Sequence, residues 1–306
     1  MKTYNILVPT DFSESADLAI EHGLFLARKF DGVLHLLHVA ELPTISIPDF
    51  PTDLFDIAWE QGMNELKALV DDLEGELPPI KRTVLAGIPA RPAAEVILQY
   101  AEESEADFIV MGTHGRRGPR RMLLGSVTEE VVRRSPCPVF TVRASRKAWP
   151  LPQIQRILVP IDFSGGSRKV IESASRFAEH YGASITLMHA VDLAFFPYYG
   201  LGSDPLVDIT KNMTESSEER LIEFAAELQA AGIIANWKTV DGHPAETIRS
   251  LADEDDFDLI VIGSHGRSGF DRMMVGSISE KVLRSAHCPV LVVNTGDGIK
   301  QLEAAA

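Results

Sequence analysis

The stretch "MGTHGRRGPRRMLLGS", residues 111–126, spaces its glycines and arginines in a way that suits an anion. Gly112 and Gly115 open it, Arg116, Arg117, Arg120 and Arg121 follow, and Gly125-Ser126 close it. Glycine lets a ligand approach main-chain N–H groups with no Cβ in the way. Where a Gly-Ser pair enters a helix, the unpaired N–H groups of the first turn and the positive end of the helix dipole attract negative charge. Arginine complements phosphate through paired hydrogen bonds. The chemistry indicated is the holding of a phosphate chain. "IGSHGRSGFDRMMVGS", residues 262–277, repeats the spacing with Gly263, Gly266, Gly276 and Ser277; it keeps Arg267 and Arg272 and adds Asp271.

The same residues admit plainer roles. "SVTE" (126–129) and "SISE" (277–280) both fit a capping box, so Ser126 and Ser277 serve as helix caps, as phosphate ligands, or as each in turn. The arginines face either phosphate or solvent at a loop tip. A Walker P-loop is excluded, because G-x4-G-K-[ST] is absent, and so is a Rossmann G-x-G-x-x-G after the first strand. "DFSGGS" (162–167) resembles the PP-loop of adenylating enzymes but lacks its Asp-Ser ending, and reads as a helix entry. His38, His114, His189 and His265 read as structural, since no close-spaced Cys/His set suits zinc.

The elements that must position these loops come in duplicate. "ILVPTDFS" (6–13) matches "ILVPIDFS" (157–164), and "SPCPVFTV" (135–142) matches "AHCPVLVV" (286–293). Asp11 and Asp162, Gly112 and Gly263, Gly125 and Gly276, and Cys137 and Cys288 are each 151 residues apart. A period this long means a duplicated domain rather than a solenoid. The join is "RASRKAWPLPQIQ" (143–155), which puts the domains at 1–146 and 147–306.

In the first copy, short apolar runs predict strands at 4–9, 33–39, 80–86, 107–112 and 137–142, with helices near 14–30, 53–75, 91–104 and 126–134. The second copy predicts strands near 155–160, 184–190, 233–240, 257–263 and 288–293. Consecutive apolar residues in "ILVP", "VLHLLHV" and "FIVMG" suit parallel strands covered on both faces. The expected fold class is therefore α/β: two tandem doubly wound domains, each a five-stranded parallel sheet with helices on both faces. Ligands of such sheets lie beyond the carboxyl ends of the strands. In the first copy that brings Pro9-Thr10-Asp11, the residues from Val39 and the loop from Gly112 to one crevice.

Composition narrows the function. A net charge of −15 disfavours a general nucleic-acid binder. Two distant cysteines do not make a secreted disulfide framework. "MKTYNILVPTDF" holds too short an apolar run for a signal peptide, and no segment reaches the ~20 apolar residues of a membrane span. A cytoplasmic protein is expected. Cys137 and Cys288 read as buried small hydrophobes. The aromatic loop "LAFFPYYGLGS" (193–203), absent from the first copy, reads either as a lid or interface patch or as packing against its own helix.

The doubled pattern G-x2-G-x9-G-[ST], together with an Asp after the first strand, resembles the nucleotide motif of the universal stress protein family over nearly the whole chain. The resemblance implies an adenine nucleotide, typically ATP, with or without Mg2+. It places the first-strand Asp near adenosine, the end of the second strand against adenine, and the glycine loop around ribose and phosphates. The residues so implied in the first copy are Pro9, Thr10, Asp11, Val39, Met111, Gly112, Gly115, Arg116, Gly125, Ser126, Val127 and Thr128. In the second they are Pro160, Asp162, Ala190, Ile262, Gly263, Gly266, Arg267, Gly276, Ser277, Ile278 and Ser279, with Ile161 where the first copy has Thr10. The resemblance also implies that the fifth strands pair, here as an intramolecular pseudo-dimer, and leaves room for a homodimer. Three functions follow: an ATP-binding stress-response or signalling module, a slow ATPase, or a nucleotide-free interaction scaffold. No residue stands out as the base that would activate water, so binding is favoured over catalysis.

Overall fold

A computed structural model of the chain describes residues 2–41, 54–73, 75–88, 91–113, 124–143, 153–192, 203–265 and 275–296. The chain divides into two units, Met1–Ala144 and Ser145–Ala306. Most of the expected linker, residues 144–152, lies outside the described residues, as do residues 193–202 of the aromatic loop.

The first unit runs β1 (Asn5–Thr10), α1 (Glu14–Lys29), β2 (Val33–Glu41), α2 (Leu54–Asp71), β3 (Ile80–Gly87), α3 (Ala93–Glu103), β4 (Phe108–Gly112), α4 (Ser126–Arg134), β5 (Val139–Val142). Its five strands are parallel in the order β3-β2-β1-β4-β5. The second unit repeats this with β6 (Arg156–Pro160), α5 (Ser167–Tyr181), β7 (Ser184–Val191), α6 (Ser203–Ala230), β8 (Ala235–Asp241), α7 (Pro244–Glu254), β9 (Leu259–Gly263), α8 (Ser277–Ser285) and β10 (Val290–Val293). Its order is β8-β7-β6-β9-β10, again all parallel.

The consecutive apolar runs are the centre of each sheet. Ile6, Leu7 and Val8 are fully buried, as are Ile157, Leu158 and Val159, as strands covered by helices on both faces must be. The expected strands at 137–142 and 288–293 begin two residues late, at Val139 and Val290. Pro138 and Pro289 are the reason: proline has no N–H for the ladder, although each carbonyl still accepts from the neighbouring strand, at Ile109 and Ile260. Pro92 likewise delays α3, standing at its N-cap rather than inside it.

In both units the order in which strands are added reverses at the middle strand. β1 is flanked by β2 and β4, and the chain leaves β1 and β4 for helices on opposite faces. A crevice must open between those two exits. β6, with β7 and β9, creates the same switch in the second unit.

Candidate functional site

The first wall of each crevice is the turn after the central strand. Thr10 Oγ1 accepts from the Phe12 N–H at 3.0 Å. Asp11 Oδ1 accepts from the Ser13 N–H at 3.2 Å and from the Ser13 hydroxyl at 2.6 Å. The Ser13 hydroxyl in turn caps α1 by accepting from the Ala16 N–H. This tight turn forces Phe12 to a φ of 58°, an uncommon conformation for a bulky residue. His38, at the end of β2, secures it: the imidazole lies 4.6 Å from the Phe12 ring, and its Nδ1–H donates to the Thr10 carbonyl at 2.9 Å.

The second unit builds the same wall from different side chains. Phe163 has a φ of 60°, its ring lies 4.6 Å from His189, and His189 Nδ1–H donates to the Ile161 carbonyl at 2.6 Å. Asp162 Oδ1 accepts from the Ser164 N–H at 2.9 Å and from the Ser167 hydroxyl at 3.2 Å. Asp162 Oδ2 is buried and has no hydrogen-bond partner among the described residues.

The second wall is the exit from β4 and the start of α4. Gly112 passes so close to α1 that a Cβ there would lie 2.5 Å from the Ser15 carbonyl oxygen. The loop closes on itself where the Gly125 N–H donates to the Thr113 carbonyl at 2.8 Å. The Gly125 carbonyl then accepts the first helical bond, from Glu129 at 2.9 Å. Gly125 is thus the N-cap, and no side chain caps it. The capping-box reading of Ser126 is overturned: Ser126 stands one residue inside the helix, where its side chain cannot serve as cap. Gly276 and Ser277 repeat the arrangement, with Gly276 N–H to the Ser264 carbonyl at 2.8 Å and no side-chain cap on α8.

The sequence-predicted residues therefore gather at the carboxyl ends of the strands in distinct ways. Thr128 and Ser279 are buried, and their hydroxyls donate to the carbonyls of Gly112 (2.9 Å) and Gly263 (2.6 Å), which leaves their main-chain N–H groups in the uncapped first turn. Ser126, Ser277 and Ile278 are exposed at that turn, and Val127 is half-buried. Met111 and Ile262 belong to the core. Pro9, Pro160, Val39 and Ala190 are half-buried near the strand ends. Gly115, Arg116, Gly266 and Arg267 lie outside the described residues, with His114 and the remaining loop arginines. Sequence reasoning missed the roles of Ser13, Phe12 and Phe163; the repeated "DFS" was the signal available.

Comparison with known proteins agrees with this duplicated architecture. The model of the universal stress protein family matches residues 3–143 and again 153–294. Universal stress protein Rv2005c of Mycobacterium tuberculosis is 26% identical over 309 residues, spanning 95% of this chain and 97% of its own. Universal stress protein MJ0531 of Methanocaldococcus jannaschii is 34% identical over 145 residues, which is 46% of this chain and 83% of that protein. The fold resembles the crystal structure of a universal stress protein from Archaeoglobus fulgidus, with a TM-score of 0.66 at 24% identity over 96% of this chain and 97% of that one. With two matches to the family in succession and a full-length tandem relative, the chain belongs to the universal stress protein family, as a member built of two consecutive domains.

Proposed function

We propose that each crevice binds an adenine nucleotide, ATP, and that the chain acts as a stress-response or signalling module whose nucleotide occupancy alters its meeting with partners. The observation that carries this reading is the pair of helix starts at Gly125 and Gly276. Each faces the crevice with glycine at the cap and no capping side chain. Main-chain N–H groups left in that state favour an anion, and the dipole of the helix adds to the attraction. Asp162 Oδ2, buried and without a partner among the described residues, supports it from the other wall, since a buried acceptor gains from a donor such as an amino or hydroxyl group of adenosine. Asp11 holds the matching sequence position in the first crevice, and on this reading Val39 and Ala190 line the adenine end of the two crevices.

Binding is favoured over rapid hydrolysis because the glycine-capped helix starts hold phosphate without themselves supplying a base. Asp11 and Asp162 brace their turns through Oδ1, and His38 and His189 brace theirs through Nδ1–H to main-chain carbonyls. ATP would bring Mg2+, if any, on its own phosphates.

Native mass spectrometry of the whole chain with ATP tests the reading. Two bound nucleotides are expected, falling to one when Gly125 or Gly276 is replaced by Asp and to none in the double variant. ATP at 100-fold its Kd should add roughly 2.7 kcal/mol of stability. A chain that takes up no nucleotide and gains no stability would be a scaffold of the same fold. Single-turnover hydrolysis above about 1 s⁻¹, the low end of ordinary enzymes, would make it an ATPase instead.

A further inference from the structure

The chain leaving β10 is built into the root of the second glycine loop. Thr295 Oγ1 accepts from the His265 N–H at 3.3 Å and donates to the His265 carbonyl at 3.1 Å, so one hydroxyl engages both main-chain groups of one residue. Asn294 Oδ1 accepts from the Gly296 N–H at 3.0 Å and from the Ser264 hydroxyl at 3.5 Å, and the Ser264 hydroxyl accepts from the Thr295 N–H at 3.3 Å. Ser264 is fully buried beneath this network. The Thr295 side chain fits because two glycines make room for it. A Cβ on Gly166 would lie 2.5 Å from Thr295 Cβ, and one on Gly263 would lie 3.0 Å from Thr295 Cγ2.

The first repeat lacks these parts. At the positions 151 residues earlier it has Ala144 for Thr295, Arg143 for Asn294 and Ser15 for Gly166. Alanine has no hydroxyl, and the space above Gly112 is taken from the α1 side by Ser15. The clasp is thus a property of the second crevice.

We propose that Thr295 is a positioning residue for nucleotide at the second crevice. By fixing both main-chain groups of His265, Thr295 holds the end of β9, and the Ser264 carbonyl beside it accepts from the Gly276 N–H at 2.8 Å, so the glycine-capped start of α8 is set before any ligand arrives. A helix start ordered in advance loses less entropy when it takes phosphate, so ligand is held longer. The inference rests on the nucleotide-binding reading given above, and its test separates the two.

The experiment uses the whole chain with the first crevice silenced by Gly125→Asp. Release of N-methylanthraniloyl-ATP is followed by stopped flow with excess ATP as chase. Amide hydrogen exchange of the His265 region is measured without nucleotide. Thr295→Val keeps the methyl packing against Gly166 and Gly263 and removes the hydroxyl. It should speed release by about fivefold to tenfold, the scale of one or two neutral hydrogen bonds, and speed exchange at His265. Thr295→Ser keeps the hydroxyl and should stay within about twofold of the parent on that scale. Unchanged release in Thr295→Val overturns the inference even where exchange rises. A parent chain that binds no fluorescent nucleotide overturns the functional reading and this inference with it, whereas a parent that binds and a Thr295→Val chain that releases at the same rate overturn this inference alone.

Discussion

The hydroxyl of Thr128 donates to the carbonyl of Gly112 across 2.9 Å and so ties the first turn of α4 to the end of β4. Ser279 ties α8 to Gly263 in the same way at 2.6 Å. Each bond spans the root of a glycine loop, so the helix start and the strand end keep their separation whatever the loop between them does. Thr128→Val preserves shape and leaves the Gly112 carbonyl without its donor. It should cost about 1–2 kcal/mol in urea unfolding and raise the ATP Kd at the first crevice. An unchanged Kd would show that the tether serves folding alone.

Gly125 has a φ of −63° and a ψ of 140°, a conformation open to any residue and preferred by capping side chains. Gly125→Asp should therefore keep the fold, with stability unchanged or raised by a few tenths of a kcal/mol, because aspartate caps a helix slightly better than glycine does. The same carboxylate would occupy the phosphate position with like charge, so ATP binding at the first crevice should be lost. Calorimetry beside thermal unfolding checks both halves of this outcome. A variant that binds ATP as tightly as the parent would place the phosphates elsewhere.

Gly112 and Gly165 make a paired test of close approach. A Cβ on Gly112 would meet the main chain of Ser15 at 2.5 Å and 2.8 Å, and main chain cannot swing aside. A Cβ on Gly165 would meet nothing within 4 Å. Gly112→Ala should destabilise the chain by at least about 2 kcal/mol, in the upper range of overpacking, while Gly165→Ala should be neutral or slightly stabilising. Urea midpoints measured side by side settle it, and equal midpoints would contradict the packing of α1 on β4.

What the sequence made legible follows from how local each signal is. Runs such as Ile6–Val8 and Ile157–Val159 announce central parallel strands because burial on both faces leaves no room for polar residues. The 151-residue register carried the second crevice with the first. The helix start at 126 was legible, but the cap role offered for Ser126 fails by one residue, because the Gly125–Thr113 bond that makes Gly125 the cap joins two chain segments and leaves no mark on either. The turn that sets the Phe12 conformation is likewise secured by His38, a residue on another strand. The Thr295 clasp was illegible for the same reason: it joins His265 to a residue 30 positions away, across Gly263, which reads as part of the anion loop, and Gly166, which reads as part of a helix entry.

Two buried histidines make stability depend on pH. His22, near Phe140, and His35, bonded to Tyr100 and Asn5, are both held down to about 4 from the ordinary 6.5. Burial is the cause at His22; at His35 burial leads and the Lys81 charge adds. The unfolded chain takes up these protons as pH falls through about 6.5, whereas the folded chain refuses them until about pH 4. Between those values the unfolded state binds more protons, so stability falls on acidification. The loss should reach about 2 kcal/mol at His22 between roughly pH 7 and pH 5, and less at His35, where solvent screens part of the effect. Urea unfolding across that range checks it, and His22→Leu should remove at least half of the slope. A parent whose stability is level over the range would mean that both imidazoles are charged in the folded state.

The two glycine loops differ most in charge. The first carries Arg116, Arg117, Arg120 and Arg121, and the second carries Arg267 and Arg272 with Asp271 between them. If these side chains attract the phosphate chain, the first crevice owes more of its affinity to exposed charge, and exposed charge is screened by salt. Raising NaCl from about 0.1 M to about 1 M shortens the screening length from ~10 Å to ~3 Å. ATP Kd should then rise roughly tenfold at the first crevice and roughly threefold at the second, as several weak surface attractions are lost against one. Calorimetry on the Gly276→Asp and Gly125→Asp chains isolates the two sites. AMP, with two fewer phosphates, should compress the difference between them. Equal salt dependence for ATP would leave the first loop's arginines as ordinary solvated side chains and return the whole of phosphate recognition to the main-chain N–H groups behind Gly125 and Gly276.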